Sequence, residues 1–111
     1  MDNDAVLVTT IDDVPGYKIV AVYGEVFGLI CRARNAISNI GAGFRTLFGG
    51  EVGGYTQLLS DSRNQAIERL RLAAMERGAN AVVGMRFDCN EIGNIMSEIA
   101  AYGTAVRIEK L

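Results

Sequence analysis

A chain of 111 residues has room for one domain, 1–111, and can bury roughly 65% of its unfolded surface around a single core. Half of its residues are hydrophobic and 22% are charged, which excludes wholesale disorder; the high apolar share points to surface covered by other subunits. Net charge is −2, and the densest basic group (Arg63, Arg69 and Arg71) is diluted by acids and amides. That excludes the electrostatic footprint of a nucleic-acid-binding protein.

The acidic start Met1-Asp-Asn-Asp lacks the basic and apolar regions of a secretory signal. No run approaches the length of about 18 apolar residues that spans a membrane, so no membrane association is expected. Val6 to Thr10 is β-branched and predicts a first strand, ended by the turn signal Pro15-Gly16. Tyr17 to Phe27 predicts a second strand whose two faces are both apolar, with Ile19, Ala21 and Tyr23 on one side and Val20, Val22 and Val26 on the other. Both faces then need cover. Leu29 to Phe48 carries apolar residues at helical spacing and predicts a first helix, weakened by Gly41 and Gly43.

Gly49 to Gly54 reads as a flexible connection. Tyr55 to Arg77 then predicts the clearest helix, with Tyr55, Leu59, Ala66, Leu70 and Ala73 on one stripe and Gly78 as its stop. Glu68 and Arg71 stand at the i,i+3 spacing of a surface ion pair. Ala81 to Cys89 predicts a third strand with Val83, Met85, Phe87 and Cys89 facing the core. Asn90 to Asn94 turns the chain, and Ile95 to Ile108 returns as a fourth strand with Val106 and Ile108 inward. The expected fold is α+β: a small antiparallel β-sheet shielded on one side by two helices, in the order β-β-α-α-β-β. The doubly apolar second strand makes a homo-oligomer the economical way to finish the core.

Chemistry is sparse. The chain has no histidine, which removes the commonest general base and metal ligand. Gly49 and Gly54 have the GxxxxG spacing of a phosphate loop, but Tyr55-Thr56 follows where Lys and Ser/Thr are needed, so a hinge or a simple ligand contact is expected. Cys31 and Cys89 lie far apart without a CxxC motif. Each reads as a small buried hydrophobe in a reducing cytoplasm, and each is a weak metal candidate if symmetry brings copies together. Arg86 and Glu98 are expected to form a cross-strand ion pair, and Gly103 to mark a bulge or close backbone approach at a subunit contact.

The segments Gly78-Ala-Asn-Ala-Val-Val-Gly84, Met85-Arg-Phe-Asp88 and Glu98-Ile-Ala-Ala-Tyr-Gly-Thr-Ala-Val106 resemble the YbjQ-type family of small bacterial and archaeal proteins. Thr9-Thr10, Pro15-Gly16, Gly24, Gly49-Gly50, Tyr55, Arg63 and Ala66 extend the match over nearly the whole chain. The resemblance implies a dodecin-like subunit, a ring-shaped homopentamer and the family's label, "putative heavy-metal-binding". Members often carry Arg-Asp within the first helix, where this chain has Ser38-Asn39. The functional expectation is a non-enzymatic homopentameric module, without a cofactor, that binds a small ligand, ion or partner at subunit boundaries. Gly49, Gly54, Tyr55, Arg86, Glu98, Tyr102 and Gly103 are its contact candidates. Soft-metal or metalloid binding through cysteine thiolates is one alternative. An enzyme using Glu98, Arg86 or Tyr102 in an intersubunit cleft is the other.

Overall fold

The computed structural model describes residues 6–33, 53–92 and 96–111. Strand β1 (Leu7–Val8), strand β2 (Tyr17–Ala33), helix α1 (Gly53–Glu76), strand β3 (Ala81–Ile92) and strand β4 (Met96–Lys110) follow in that order. The four strands form one sheet in the order β1-β3-β4-β2. β3 and β2 flank β4 in antiparallel fashion, while β1 runs parallel to β3. The sheet is therefore mixed, against the expectation of an antiparallel one. The turn at Pro15-Gly16 does form, with Gly16 at φ 84° and the Tyr17 N–H donating to the Val14 carbonyl at 3.0 Å. It reverses the chain without pairing its flanking strands, because β2 finds its long partner on the far side of β4.

The second correction concerns β2. It continues to Ala33, where helical spacing predicted that a helix had already begun at Leu29. Leu29, Ile30 and Ala33 suit a helix by spacing alone, but here they extend a ladder in which Leu29 faces Ala100 and Ile30 faces Ile99. A continuous antiparallel partner satisfies every second backbone group, and local periodicity cannot compete with that. The rest of the expected first helix, 34–48, lies outside the described residues. Among those residues there is one helix.

Helix α1 lies across β2 and β4 and buries Ala66, Leu70 and Ala74 against Val26, Ile30, Ile99, Ala101 and Ala105. Small residues set the closeness of this contact. A Cβ on Gly28 would stand 2.0 Å from the Ala66 carbonyl oxygen and 2.5 Å from the Leu70 nitrogen. Only a residue without a side chain lets the helix backbone rest there. Leu70, fully buried, contributes about 1.5–3 kcal/mol by its transfer from water. The helix ends as its glycine predicted: Gly78 has φ 85°, Ala79 N–H bonds the Ala74 carbonyl at 3.1 Å, and Gly78 N–H bonds that of Met75 at 3.0 Å. This pair of bonds is a Schellman cap. The Glu68–Arg71 pair on its surface is also present.

The β3–β4 hairpin holds the centre of the sheet. Its apolar row is broken where β3 bulges between Val83 and Arg86, with Gly84 at φ 63°. Val83 consequently joins Val14, Ala81, Val106 and Ile108 on the face away from α1, while Met85 packs in the helix-side core. The sequence row of Val83, Met85, Phe87 and Cys89 on one face is corrected by that extra residue. Asn80 ties the hairpin base, accepting from Ile108 N–H at 2.7 Å and donating to the Ile108 carbonyl at 2.9 Å. Val106 and Ile108 are buried with Arg107 and Glu109 exposed, as alternation predicted.

Candidate functional site on the open sheet face

Among the described residues, the face opposite α1 is covered at one end only. There the loop before β2 lays Val14 over Ala81, Val83, Val106 and Ile108. Farther along β2 and β4 lies a groove of about 430 Å³. Phe27, Leu29, Ala100 and Tyr102 supply its apolar part; Glu25, Asp88 and Glu98 supply its carboxylates. Strand alternation explains this collection. Glu25, Phe27 and Leu29 sit two residues apart, and their partners across the ladder are Thr104, Tyr102 and Ala100. Phe27 and Tyr102 are directly opposed, with ring centroids 6.2 Å apart and planes tilted by 30°. Phe27 remains 51% exposed and Leu29 45%, so the groove leaves large apolar surface in water.

β2 is also an edge strand, and its two halves are treated differently. In the second half, Arg77 Nη1 donates to the Tyr23 carbonyl at 3.0 Å, and Arg69 Nη1 to that of Leu29 at 2.6 Å. These helix arginines blunt the edge. A second hollow of about 530 Å³ lies there, lined by Glu25, Val26, Phe27, Ala73 and Arg77. The first half, Tyr17 to Val22, carries exposed Tyr17, Ile19, Val20 and Val22, the last at 66%.

The residues singled out in the sequence fare unevenly. Glu98 and Tyr102 do line the groove. Arg86 does not pair with Glu98: Asn90 stands opposite Glu98, and Arg86 stands opposite Tyr102. Its guanidinium instead donates to the Thr10 and Met85 carbonyls, both at 2.8 Å, pinning the loop after β1. Gly103 is buried within the chain, and the close approach that excludes a side chain there is to β3: an added Cβ would lie 2.7 Å from Val82 Cγ1 and 3.0 Å from the Val83 carbonyl oxygen. The close backbone approach expected at Gly103 is made within the chain, to β3.

Cys31 and Cys89 are both exposed rather than buried. Cys31 belongs to a strand rather than a helical stripe. Cys31 faces Glu98 across the ladder and Cys89 faces Ile99, the next residue along β4, so the two thiols lie on opposite sides of the sheet. One chain cannot bring them to a common ion. Among the described residues no group of three or more cysteine, aspartate or glutamate side chains could hold a metal. Gly54 falls in the first turn of α1, as does the backbone of Tyr55; Gly49 lies outside the described residues. Sequence reasoning missed Glu25, Phe27, Leu29 and Asp88. The signal was strand alternation: Glu25 and Phe27 within the expected second strand and Asp88 within the expected third, with only Leu29 needing β2 to run past Phe27.

Among the described residues the fold is thus a small α+β one, with one helix on a four-stranded mixed sheet, and its groove has no arrangement of groups recognisable as catalytic. Residues 6–109 match the model of the YbjQ family, described as "Putative heavy-metal-binding". The chain is 53% identical over 106 residues to a UPF0145 protein of Streptomyces griseus, covering 96% of this chain and 88% of that one. It is 51% identical over 105 residues to a UPF0145 protein of Acidothermus cellulolyticus, covering 95% and 97%. It is similar in structure to a Pediococcus pentosaceus protein of unknown function from the DUF74 family. The TM-score there is 0.56 at 17% identity, over 94% of this chain and 98% of that one, so the likeness is one of fold. The chain belongs to the YbjQ family of UPF0145 proteins.

Proposed function

We propose that the protein is a non-catalytic homo-oligomeric module, a ring of five copies, that holds a small ligand, ion or partner where its subunits meet. One observation carries this reading: the apolar row Tyr17, Ile19, Val20, Val22, Phe27 and Leu29 along a single edge strand stays in water in the isolated chain. Soluble monomers rarely leave a contiguous patch of this kind open. An edge strand with β-branched residues on both faces invites pairing unless a partner covers it. The groove beside Phe27 and Tyr102 then becomes a cleft at a subunit boundary, where ligand sites commonly form.

The reading is tested by sedimentation equilibrium at micromolar concentration, with native mass spectrometry of the purified protein. A stable pentamer retaining a small molecule is expected, and a stable monomer overturns the assembly. A second reading, soft-metal binding by thiolates from different copies, is supported by the exposure of Cys31 and Cys89 together with the family description. Thiol titration of native protein with metal analysis decides it: protected thiols and retained metal are expected, whereas freely reactive thiols and no metal end it.

A further inference from the structure

Strand β2 is the long open edge of the sheet, and an open edge offers its outward N–H and C=O groups to any further strand. Its composition makes that offer hazardous. Ile19 to Tyr23 is an uncharged run of β-branched and aromatic residues about a single alanine, without proline, the kind of segment that stacks into intermolecular ladders. Both halves of the edge are obstructed, by different means. In the first half the ladder to β4 shifts register twice, between Ile19 and Ala21 and between Val22 and Gly24, with Gly24 at φ 94°. Such bulges break the even spacing of backbone groups that an incoming strand must match. In the second half the obstruction comes from the helix. Arg69 Nη1 donates to the Leu29 carbonyl at 2.6 Å, and Arg77, just past the end of α1, donates through Nη1 to the Tyr23 carbonyl at 3.0 Å. Only Gly24 to Gly28 stand between the two bonded carbonyls. The opposite edge, β1, is 2 residues long, and Arg71 Nε takes the Val6 carbonyl at its head at 3.3 Å.

We propose that Arg69 and Arg77 guard the β2 edge against strand addition by a second copy of the chain, so that association cannot grow into an open β-ladder. Each guanidinium occupies a carbonyl that a new strand would need, and leaves a cation on the rim. An approaching strand would have to displace the first and desolvate the second. The core under α1 does not call for these two side chains, since Ala66, Leu70 and Ala74 already seat the helix on the sheet. Copies that do associate then meet through side chains rather than through a continuous backbone ladder. The guard goes beyond the assembly proposed above and does not depend on it, because a lone chain exposes the same edge.

Removing the guards tests the proposal. Arg69→Ala with Arg77→Ala frees both carbonyls. Under agitation, its lag before thioflavin-T-positive aggregate appears is expected to shorten by about tenfold relative to the wild type. Arg63→Ala removes the same charge from the same helix, where the guanidinium lies 5.2 Å from the centroid of the Phe87 ring, and is expected to behave as the wild type. Amide hydrogen exchange on the aggregated double variant is expected to show new protection from Tyr23 to Leu29. Thermal unfolding by circular dichroism checks that each variant starts folded. Should the double variant not fold, Arg69→Ala and Arg77→Ala are read singly, each expected to shorten the lag by a smaller factor. Guard variants that aggregate no faster than Arg63→Ala, or whose aggregates gain no protection from Tyr23 to Leu29, overturn the inference. A monomeric wild type overturns the assembly reading and leaves this one standing.

Discussion

The two faces of this sheet are built from the same strands, and they end up with opposite fates. On one, small residues predominate under the helix: the α1 backbone rests directly on Gly28, with Ala101 and Ala105 in the same buried layer. On the other, the same stretch of β2 and β4 presents Phe27, Leu29 and Tyr102, large side chains that nothing in the described chain covers. Small residues mark the face whose partner is already in the chain, because a fixed neighbour leaves no room for a side chain. Large exposed ones mark the face whose partner is still to come. Sequence hydropathy alone would have ranked the two faces the other way round.

Mutations separate the faces by size of effect. Gly28→Ala places a methyl group inside the helix backbone and is expected to abolish the cooperative urea transition, because two pieces of main chain would have to separate. Leu70→Ala, from the same buried layer, should lower unfolding free energy by about 3 kcal/mol in the same experiment. A much smaller loss would mean the helix-side core is loosely packed. Gly78→Ala forces a methyl-bearing residue to φ 85° and should cost about 1 kcal/mol, read as a lower thermal midpoint without change of association. Phe27→Ser on the open face should change the stability of dissociated chains by less than about 0.5 kcal/mol, yet reduce self-association strongly. An effect on stability as large as that of Leu70→Ala would erase the distinction between the faces. Glu68→Ala removes a surface i,i+3 pair and should cost only about 0.3 kcal/mol.

Local signals were read well wherever the local chain decides. Val14-Pro15-Gly16-Tyr17 closes a turn because proline sets one φ and glycine accepts the positive one. Gly78 stops α1 for the same kind of reason, and Val106 and Ile108 alternate inward because strand periodicity requires it. Of the seven residues lining the groove, two, Glu98 and Tyr102, were marked from the sequence. Of the rest, Leu29 was hidden behind a wrong boundary, since Leu29, Ile30 and Ala33 fit a helical stripe as readily as a strand, while Glu25, Phe27, Asp88 and Ala100 lay in expected strands whose open face only the assembled sheet defines. The expected Arg86–Glu98 pair failed because the register of the β3–β4 ladder puts Asn90, not Arg86, opposite Glu98.

By itself, the sequence determined a small α+β fold, the turn at Pro15-Gly16, the capped helix ending at Gly78, the central β3–β4 pairing, and the second strand with apolar residues on both faces. These follow from dihedral preferences and side-chain period, which act within a few residues. Only the tertiary structure decided that β1 runs parallel to β3, that β2 continues past Phe27 along β4, that Gly103 makes room for β3, and that the two cysteines are exposed on opposite sides of the sheet. Each of those depends on which distant backbone completes a ladder or fills a gap. Hydrogen-bond pairing and steric fit across the sheet choose that partner, and neither is written in any short stretch of chain.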